Sequence, residues 1–398
     1  MIAASISQPV AENDDLSRNV YCVLGMPIDD VDFPTALRRI EQAANGQAPF
    51  LLSTPNLNFL INSRASPEFR ESLLLSDLCP ADGIVVVWVA RLLGIPIKER
   101  AAGSDLFEAL KHKRRDDPIR VFFFGGQEGV AEAAAEALNA PGVECVGTLY
   151  PGFGCAEDMS GTDTLGKINA SKAQFLVASL GALKGQSWLL RNHSSLRVPV
   201  RAHLGAVMNF EAGTVTRAPA LLRRLGLEWL WRIKEEPQLW RRYAHDGLIM
   251  LRLLFTRVVP LALLESWQRL TGNLKRATLN VRETPYDGSV TIQLGGFAVA
   301  RTLDPARASF ATAVRDDKHV ILDCSELRYL DARFLGLLLM LRKQLRSRGL
   351  SLRLVGSRGW TAGIFRLNGL EFLLADDANR PAQPAGESSL PSKGVAHD

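Results

Sequence analysis

The sequence predicts an α/β fold: a Rossmann-like parallel sheet with helices on both faces, plus a small C-terminal α/β domain. Strand-like apolar runs alternate with helix-like runs through the first part of the chain, as expected for a parallel sheet covered by helices. Small-residue turns follow several of the strand-like runs. After about residue 270 a polar stretch leads into a second, shorter series of strands and helices.

The strand-like runs of the first unit are short and apolar, and each ends at a turn. They are PFLLSTPN (49–56), IRVFFFGG (119–126), AQFLVASLGA (173–182) and VRAHLGAVMNF (200–210). Between them, SPEFRESLLLS (66–76) predicts a helix with Ser66 as its N-cap, and EGVAEAAAEALN (128–139) predicts a helix by propensity. Ligands of such sheets bind beyond the carboxyl ends of the strands, so the residues of these turns are the first candidates for a site.

The second unit contains three further strand-like runs and one amphipathic helix. The strands are SVTIQLGG (289–296), HVILDCSEL (319–327) and LSLRLVG (350–356), and the helix over 331–349 stops at Gly349. We therefore predict a disordered leader (1–18), an α/β domain (19–216), a basic, Trp-rich appendage (217–270), a linker (271–287), a second domain (288–375) and a disordered tail (376–398).

Composition limits the setting of the protein. The 398 residues are 47% hydrophobic and 22% charged, which is ordinary for a globular chain. Five scattered cysteines form no CxxC pair, which favours a reduced, cytoplasmic setting and argues against a zinc site. The N-terminus shows no signal-peptide pattern.

Positive charge is concentrated in one segment. Residues 217–257 contain nine Lys and Arg but four Asp and Glu, together with Trp229, Trp231 and Trp240. This composition suits an anionic surface such as a membrane. The most apolar stretch, 247–267, is interrupted by two arginines and a proline, so we expect it to lie on a bilayer surface rather than to span it.

Residues 20–245 resemble the WecG/TagA/CpsF glycosyltransferases (family 26). The resemblance rests on an ordered series of motifs, namely STPNLNFL, SPEFRESLLLSDLCPADGIVVVWVARLLG, RAAGSDLFEAL, VFFFGGQEGVAEAAAEAL, LGALKGQSW and GTVTRAPALLRRLGLEWLWRIKEEPQLWRRY. It implies transfer of a hexose-type sugar from a UDP-sugar to a polyprenyl-diphosphate-linked sugar, with inversion at the anomeric carbon. It further implies envelope or exopolysaccharide synthesis by a peripheral protein at the cytoplasmic face of the inner membrane.

The family's Asp-Gly turn matches Asp82, which the resemblance identifies as the catalytic base. An inverting transferase needs one carboxylate to accept the proton of the attacking hydroxyl. The alternative is that Asp82 caps the helix that follows it.

The resemblance also implies a set of substrate-binding residues: Thr54, Asn56, Arg100, Gln186, Arg217, Arg223 and Arg224. Thr54 and Asn56 could instead shape a turn, and the arginines could form surface ion pairs or remain solvated. LGALKGQSW departs from the commoner family form GAPKQEKW, because Leu183 replaces the proline and the glutamine falls one place later, at Gln186. The sequence contains no acidic pair or histidine cluster typical of a metal site, so we expect no cofactor and a metal-independent reaction.

Residues 288–375 resemble a STAS domain in the pattern of HVILDCSELRYLDARFLGLLLMLRKQLRSRGLSLRLVG. In regulatory members of that family a serine that follows the aspartate of the turn is phosphorylated. Here Ala332 and Arg333 follow Asp331, so we expect docking to a protein partner or self-association rather than a phosphorylation switch.

Two other classes of function remain open at this stage. The chain could be an inert scaffold that acts through its STAS-like domain, although Asp82, Thr54, Asn56 and Arg100 together argue for an enzyme. It could bind nucleic acid through its basic segment, but it lacks a recognition motif, and we expect no nucleic-acid partner.

Overall fold

The computed structural model describes residues 14–374 except Asn139 and Leu225, and it does not describe the side chains of Ala220 and Arg224. Most of the predicted leader and all of the predicted tail lie outside the described residues. Residues 14–18 of that leader are ordered, because Asp15–Ser17 form a 3-10 helix whose Leu16 is buried. The prediction of a disordered leader is therefore wrong for these residues.

The first unit alternates strands and helices as predicted. Its elements are β1 (Val20–Val23), β2 (Met26–Asp29), α1 (Phe33–Ala44), β3 (Phe50–Leu52), α2 (Leu57–Ala65), α3 (Pro67–Leu74), α4 (Ile84–Leu92), α5 (Gly103–His112), β4 (Ile119–Gly125), α6 (Val130–Ala137), β5 (Val143–Leu149), α7 (Thr162–Ala170), β6 (Phe175–Ser179), α8 (Ala182–Arg191), β7 (Val200–His203) and α9 (Gly205–Glu211).

Five of these strands form a parallel sheet in the order β3-β7-β6-β4-β5, while β1 and β2 form a separate antiparallel hairpin. Along β4, Val121 and Phe123 pack into one apolar cluster and Phe122 and Phe124 into another. Successive side chains of a strand point to opposite faces, so the sheet is covered on both sides. This arrangement confirms the predicted Rossmann-like layering.

The appendage is helical and lies between the two domains. It comprises α10 (Ala220–Arg224), α11 (Glu228–Glu235), α12 (Trp240–Leu253) and α13 (Val259–Leu270). A 3-10 turn at Pro237–Leu239 precedes α12, and a π-helical turn at Leu254–Val258 joins α12 to α13, so one long helix runs over Pro237–Leu270. The π-helical turn immediately precedes Pro260, whose missing N–H and bulky ring an uninterrupted α-helix would not accommodate.

The second domain is a four-stranded sheet with helices. Its elements are β8 (Leu279–Tyr286), β9 (Ser289–Ala298), α14 (Asp304–Arg315), β10 (His319–Leu330), α15 (Ala332–Ser347), β11 (Leu352–Val355), α16 (Gly359–Leu367) and α17 (Glu371–Leu374). The strand order is β11-β10-β9-β8, with β8 antiparallel to β9 and the other pairs parallel. The segment predicted as a linker thus contributes an edge strand. Its polar, mostly exposed residues conceal the strand from a hydrophobicity pattern.

Helix α15 joins the second domain to the first. Gly336 lies so close to the β1 backbone that a Cβ atom there would overlap the carbonyl oxygen of Val20. Arg333 donates hydrogen bonds to the carbonyl oxygens of Arg18 and Val20, at 3.0 and 3.2 Å. One apolar cluster includes residues of the β1–β2 hairpin, the long helix and the second domain. The two domains therefore share a core.

We expect Gly336→Ala to destabilise the protein by about 1–3 kcal/mol, because the added methyl group has no space against Val20. Gly363→Ala is the matched control, since Gly363 also lies in a helix and a Cβ atom there meets nothing within 4 Å. Its expected effect is neutral or stabilising, by about 0.5–1 kcal/mol. Urea unfolding midpoints measure both changes. Equal effects of the two substitutions would contradict the close approach of α15 to β1.

Candidate active site

A pocket of about 640 Å³ lies where the first domain meets the appendage. The turn after β3, the Asp82 turn and the start of α5 form one wall, and α11 and α12 form the other. The chemically relevant lining residues are Asn56, Asp82, Arg100, Glu228, Arg232, Arg242, Tyr243 and Asp246. Sequence-distant segments thus build one cavity at the carboxyl end of β3.

Asp82 faces this pocket from the turn before α4. The N-cap of α4 is Gly83, and no side chain caps the helix. The alternative role of Asp82 as a helix cap is therefore not realised. Its backbone N–H is held by the carbonyl oxygen of Pro55 at 3.0 Å, and its carboxylate accepts a hydrogen bond from Thr54. These contacts fix the carboxylate at the edge of the cavity.

Burial raises the pKa of Asp82 to about 7. The Arg100 guanidinium and the hydrogen bond from Thr54 oppose this rise, whereas the carboxylates of Glu228 and Asp105 reinforce it. A carboxyl group with this pKa exchanges protons near neutral pH, which is the behaviour required of a general base.

Arg100 lines the pocket and bridges the first domain and the appendage. Its guanidinium donates to Asp105 at 2.8 Å and to Glu228 of α11. Asp105 also accepts from two appendage arginines, Arg217 at 2.6 Å and Arg223 at 2.9 Å. The structure therefore brings Arg100, Arg217 and Arg223 together around one carboxylate, beside Asp82.

The remaining predicted residues take different positions. Asn56 lines the pocket and also caps α2, since its Oδ1 accepts from Phe59 N at 3.2 Å. Thr54 is buried behind Asp82 rather than exposed to the cavity. The side chain of Arg224 lies outside the described part of the chain.

Gln186 is not brought to the pocket. Its side chain is fully buried and hydrogen-bonds Ser53, with Nε2 at 3.1 Å from Ser53 Oγ. The preceding residue, Gly185, packs against His203, and a Cβ atom at position 185 would overlap that imidazole. Burial lowers the pKa of His203 to about 4. Gln186 therefore forms a buried contact inside the protein, and it does not reach the pocket to bind substrate as the sequence predicted.

The pocket continues into an apolar surface on the long helix. Met250, Leu251 and Leu254 line the cavity. A continuous stripe of exposed apolar side chains extends along the same helix at spacings of three and four residues: Leu248, Leu251, Phe255, Val259, Leu263, Trp267 and Leu270. Among the described residues this is the one helix long and apolar enough to cross a membrane. It has 34 residues, its most apolar 18-residue window has a mean hydropathy of 1.9, and 17% of that window is buried.

Comparison with known protein families identifies the family to which this chain belongs. Residues 21–262 match the glycosyl transferase WecG/TagA/CpsF family, a span that covers the sheet, the pocket and most of the long helix. The chain belongs to the WecG/TagA/CpsF family. Residues 283–375 match a second family, described as Mlab, STAS domain, which identifies the C-terminal domain as a STAS domain.

A curated relative of this WecG/TagA/CpsF chain is the N-acetylglucosaminyldiphosphoundecaprenol N-acetyl-beta-D-mannosaminyltransferase of Bacillus spizizenii. The two are 30% identical over 200 residues, covering 50% of this chain and 75% of the relative.

Two solved structures show fainter likenesses. Phosphorylated SpoIIAA, a Bacillus cell-fate determinant, is 20% identical with a TM-score of 0.21, over 24% of this chain and 86% of that one. The SsGBP complex with GDP is 10% identical with a TM-score of 0.19, over 65% of this chain and 98% of that one. Scores this low add nothing to the architecture, which follows from the strand order.

The site of this WecG/TagA/CpsF chain includes residues that the sequence analysis did not select. Glu228, Arg232, Arg242, Tyr243 and Asp246 all reach the pocket from the appendage. Glu228, Arg232, Arg242 and Tyr243 lie in the family motif GTVTRAPALLRRLGLEWLWRIKEEPQLWRRY, so the resemblance contained a signal for them. Asp246 lies just beyond that motif and had no such signal. Within residues 14–138, 140–224 and 226–374, no group of three or more His, Cys, Asp or Glu is placed to hold a metal ion.

We expect Asp82→Asn to stabilise the WecG/TagA/CpsF chain at pH 8 more than at pH 5.5. The pKa of Asp82 rises on folding, from about 3.8 to about 7, so the wild-type protein loses stability as pH rises through this range. An asparagine carries no charge at either pH and avoids that loss. Urea unfolding midpoints of both proteins at the two pH values measure the difference. Asp316→Asn, at an exposed carboxylate, is the control, and a similar pH dependence there would contradict the assignment.

Proposed function

We propose that the protein transfers a hexose-type sugar from a UDP-sugar to a polyprenyl-diphosphate-linked sugar, inverting the anomeric carbon. Asp82 is the general base that accepts the proton of the acceptor hydroxyl as that oxygen bonds to the anomeric carbon and UDP departs. The observation that carries this proposal is the position of Asp82: a carboxylate with a pKa near 7 at the edge of a cavity, beside grouped arginines.

The arginines supply charge for the departing diphosphate. Arg100 lies in the pocket wall, and Arg217 and Arg223 converge with it on Asp105. A guanidinium has five N–H donors, so each arginine can keep its carboxylate partner and still donate to phosphate oxygens. This chemistry neutralises the leaving group without a metal ion, and we propose a metal-independent reaction on that basis.

The apolar surface beside the pocket supports a lipid-linked acceptor. A polyprenyl diphosphate carries a polar head and a long apolar chain. The pocket offers charged groups around Asp82 and apolar ones at Met250, Leu251 and Leu254, where the exposed stripe of the long helix begins. The name of the Bacillus spizizenii relative describes an undecaprenol-linked acceptor, which agrees with this arrangement.

The same stripe supports peripheral attachment to the cytoplasmic face of the inner membrane. The opposite side of the helix packs on protein through Leu253, Val258 and Leu261, so one side alone is free to enter a bilayer. Arg241 and Arg242 near its N-terminal end add positive charge that attracts anionic lipid.

We expect Asp82→Asn to lower kcat for sugar transfer by about 10²–10⁴-fold, because asparagine cannot accept the proton. In the wild type, kcat rises with pH and levels off above about 7, the pKa of Asp82. Transfer is measured by mass spectrometry with a panel of UDP-sugars and short-chain polyprenyl-diphosphate acceptors.

Two controls accompany this test. Binding of UDP to Asp82→Asn, measured by calorimetry, shows whether the pocket survives the substitution. Asp316→Asn, an exposed carboxylate of the STAS domain, should transfer at the wild-type rate. Undiminished transfer by folded Asp82→Asn protein would remove Asp82 from the mechanism.

We expect the double variant Phe255→Glu/Leu263→Glu to lose binding to vesicles that contain anionic phospholipid. Both side chains lie exposed in the middle of the apolar stripe, and two carboxylates there oppose insertion and repel anionic lipid. Transfer to a long-chain acceptor in vesicles should fall with vesicle binding, while transfer to a short-chain soluble acceptor should persist. Tyr286→Glu, at an exposed aromatic residue of β8, is the control. Equal vesicle binding by both variants would contradict a membrane role for the stripe.

A further inference from the structure

The surface of the STAS domain that carries α15 is covered by the transferase domain of the same chain. Gly336 permits contact with the β1 backbone, and Arg333 donates to two carbonyl oxygens there. Arg342 forms a bidentate ion pair with Glu71 of α3, with N–O distances of 2.8 and 2.9 Å. Arg333, which follows the position where regulatory members of the STAS family carry a phosphorylated serine, is therefore engaged within the chain.

The centre of this contact is a buried cluster of charges. Lys343 of α15 places its Nζ 2.7 Å from Asp77, 3.1 Å from Asp15 and 3.3 Å from the carbonyl oxygen of Ser76. Arg18 completes the cluster by bonding Asp15, Asp29 and the same Ser76 carbonyl. Removing one partner from such a buried cluster leaves an opposite charge without compensation.

Asp77 connects this cluster to the strand that leads into the pocket. While one carboxylate oxygen accepts from Lys343, the other accepts from the backbone N–H of Leu51 in β3, at 2.8 Å. The residues on either side of Asp77 also contact β3 and the turn after it, since Ser76 Oγ lies 2.8 Å from Ser53 Oγ and the Leu78 carbonyl accepts from Ser53 N.

The end of β3 in turn holds the candidate base. Ser53 is followed by Thr54, which hydrogen-bonds the Asp82 carboxylate. Pro55 accepts from the backbone N–H of Asp82 at 3.0 Å. A chain of direct contacts thus runs from Lys343 through Asp77 and β3 to Asp82.

We propose that the STAS domain positions the transferase site from within the chain, with Lys343 as the positioning residue. Its ion pair with Asp77 holds β3 and the Thr54–Asn56 turn in the place that presents Asp82 to the acceptor. The inference rests on the proposed transfer reaction and assigns a role in it to the C-terminal domain. Coupling of this kind requires packed and hydrogen-bonded groups between the two sites, which this chain of contacts supplies.

Lys343→Met tests the proposal in the full-length protein. We expect kcat for transfer to fall about tenfold or more, because small displacements of a catalytic group are costly. The KM for the UDP-sugar should change less than kcat, because Arg100 and Glu228 of the pocket wall lie outside the β3 turn that Lys343 restrains. Amide hydrogen exchange should accelerate selectively over residues 50–57 and 76–83, a local change that general loss of stability would not produce.

Asp77→Asn is a second, more conservative variant, and it replaces Lys343→Met in the test if that variant does not fold. Its amide oxygen can still accept from Leu51 N, but the ion pair with Lys343 is lost, so we expect the same pattern at smaller amplitude. Arg315→Met is the matched control, since Arg315 is an exposed cation of the same domain. Near-ultraviolet circular dichroism establishes that each variant is folded.

The outcomes separate this inference from the proposed function. If the wild type transfers no sugar, the proposed function fails, and hydrogen exchange still decides whether Lys343 restrains β3. If the wild type is active and folded Lys343→Met and Asp77→Asn match it in both kcat and exchange, the positioning role is wrong. Uniform acceleration of exchange along the whole chain would likewise overturn it, because Lys343 would then contribute stability alone.

Discussion

The Asp82 carboxylate lies at the edge of a pocket where burial disfavours its charge, and neighbouring polar groups partly offset that effect. Desolvation raises the pKa of this group to about 7, while Arg100 and the hydroxyl of Thr54 limit the rise. A base is useful only if it loses its proton at the working pH and binds it again during reaction. The balance between apolar burial and a nearby guanidinium produces that property.

The appendage supplies much of the charge around Asp82. Glu228 pairs with Arg100 in the wall of the pocket, and Arg217 and Arg223 pair with Asp105, so ion pairs join the first domain to the appendage beside the pocket. The long helix of the same appendage carries the exposed apolar stripe. One segment thus provides both the polar wall beside Asp82 and the apolar surface suited to a lipid.

The STAS domain packs directly against the first domain and the long helix. Its helix α15 packs on the β1–β2 hairpin, and its Tyr329 hydroxyl donates to Glu265 on the long helix. We expected this domain to bind a separate partner or a second copy. Because α15 is already covered, a partner of that kind would need another face of the domain.

The sequence by itself determined the alternation of strands and helices, the cap at Ser66 and the position of the STAS domain, because these features depend on local pattern and motif. It missed β8, whose exposed polar residues leave no periodic signal, and the order of residues 14–18, which ion pairs with distant residues impose. Tertiary structure alone decided that Gln186 turns inward to Ser53, that Arg217 and Arg223 reach Asp105, and that Lys343 reaches Asp77. Those contacts join residues far apart in the chain, and only the packing of the whole protein brings them within hydrogen-bonding distance.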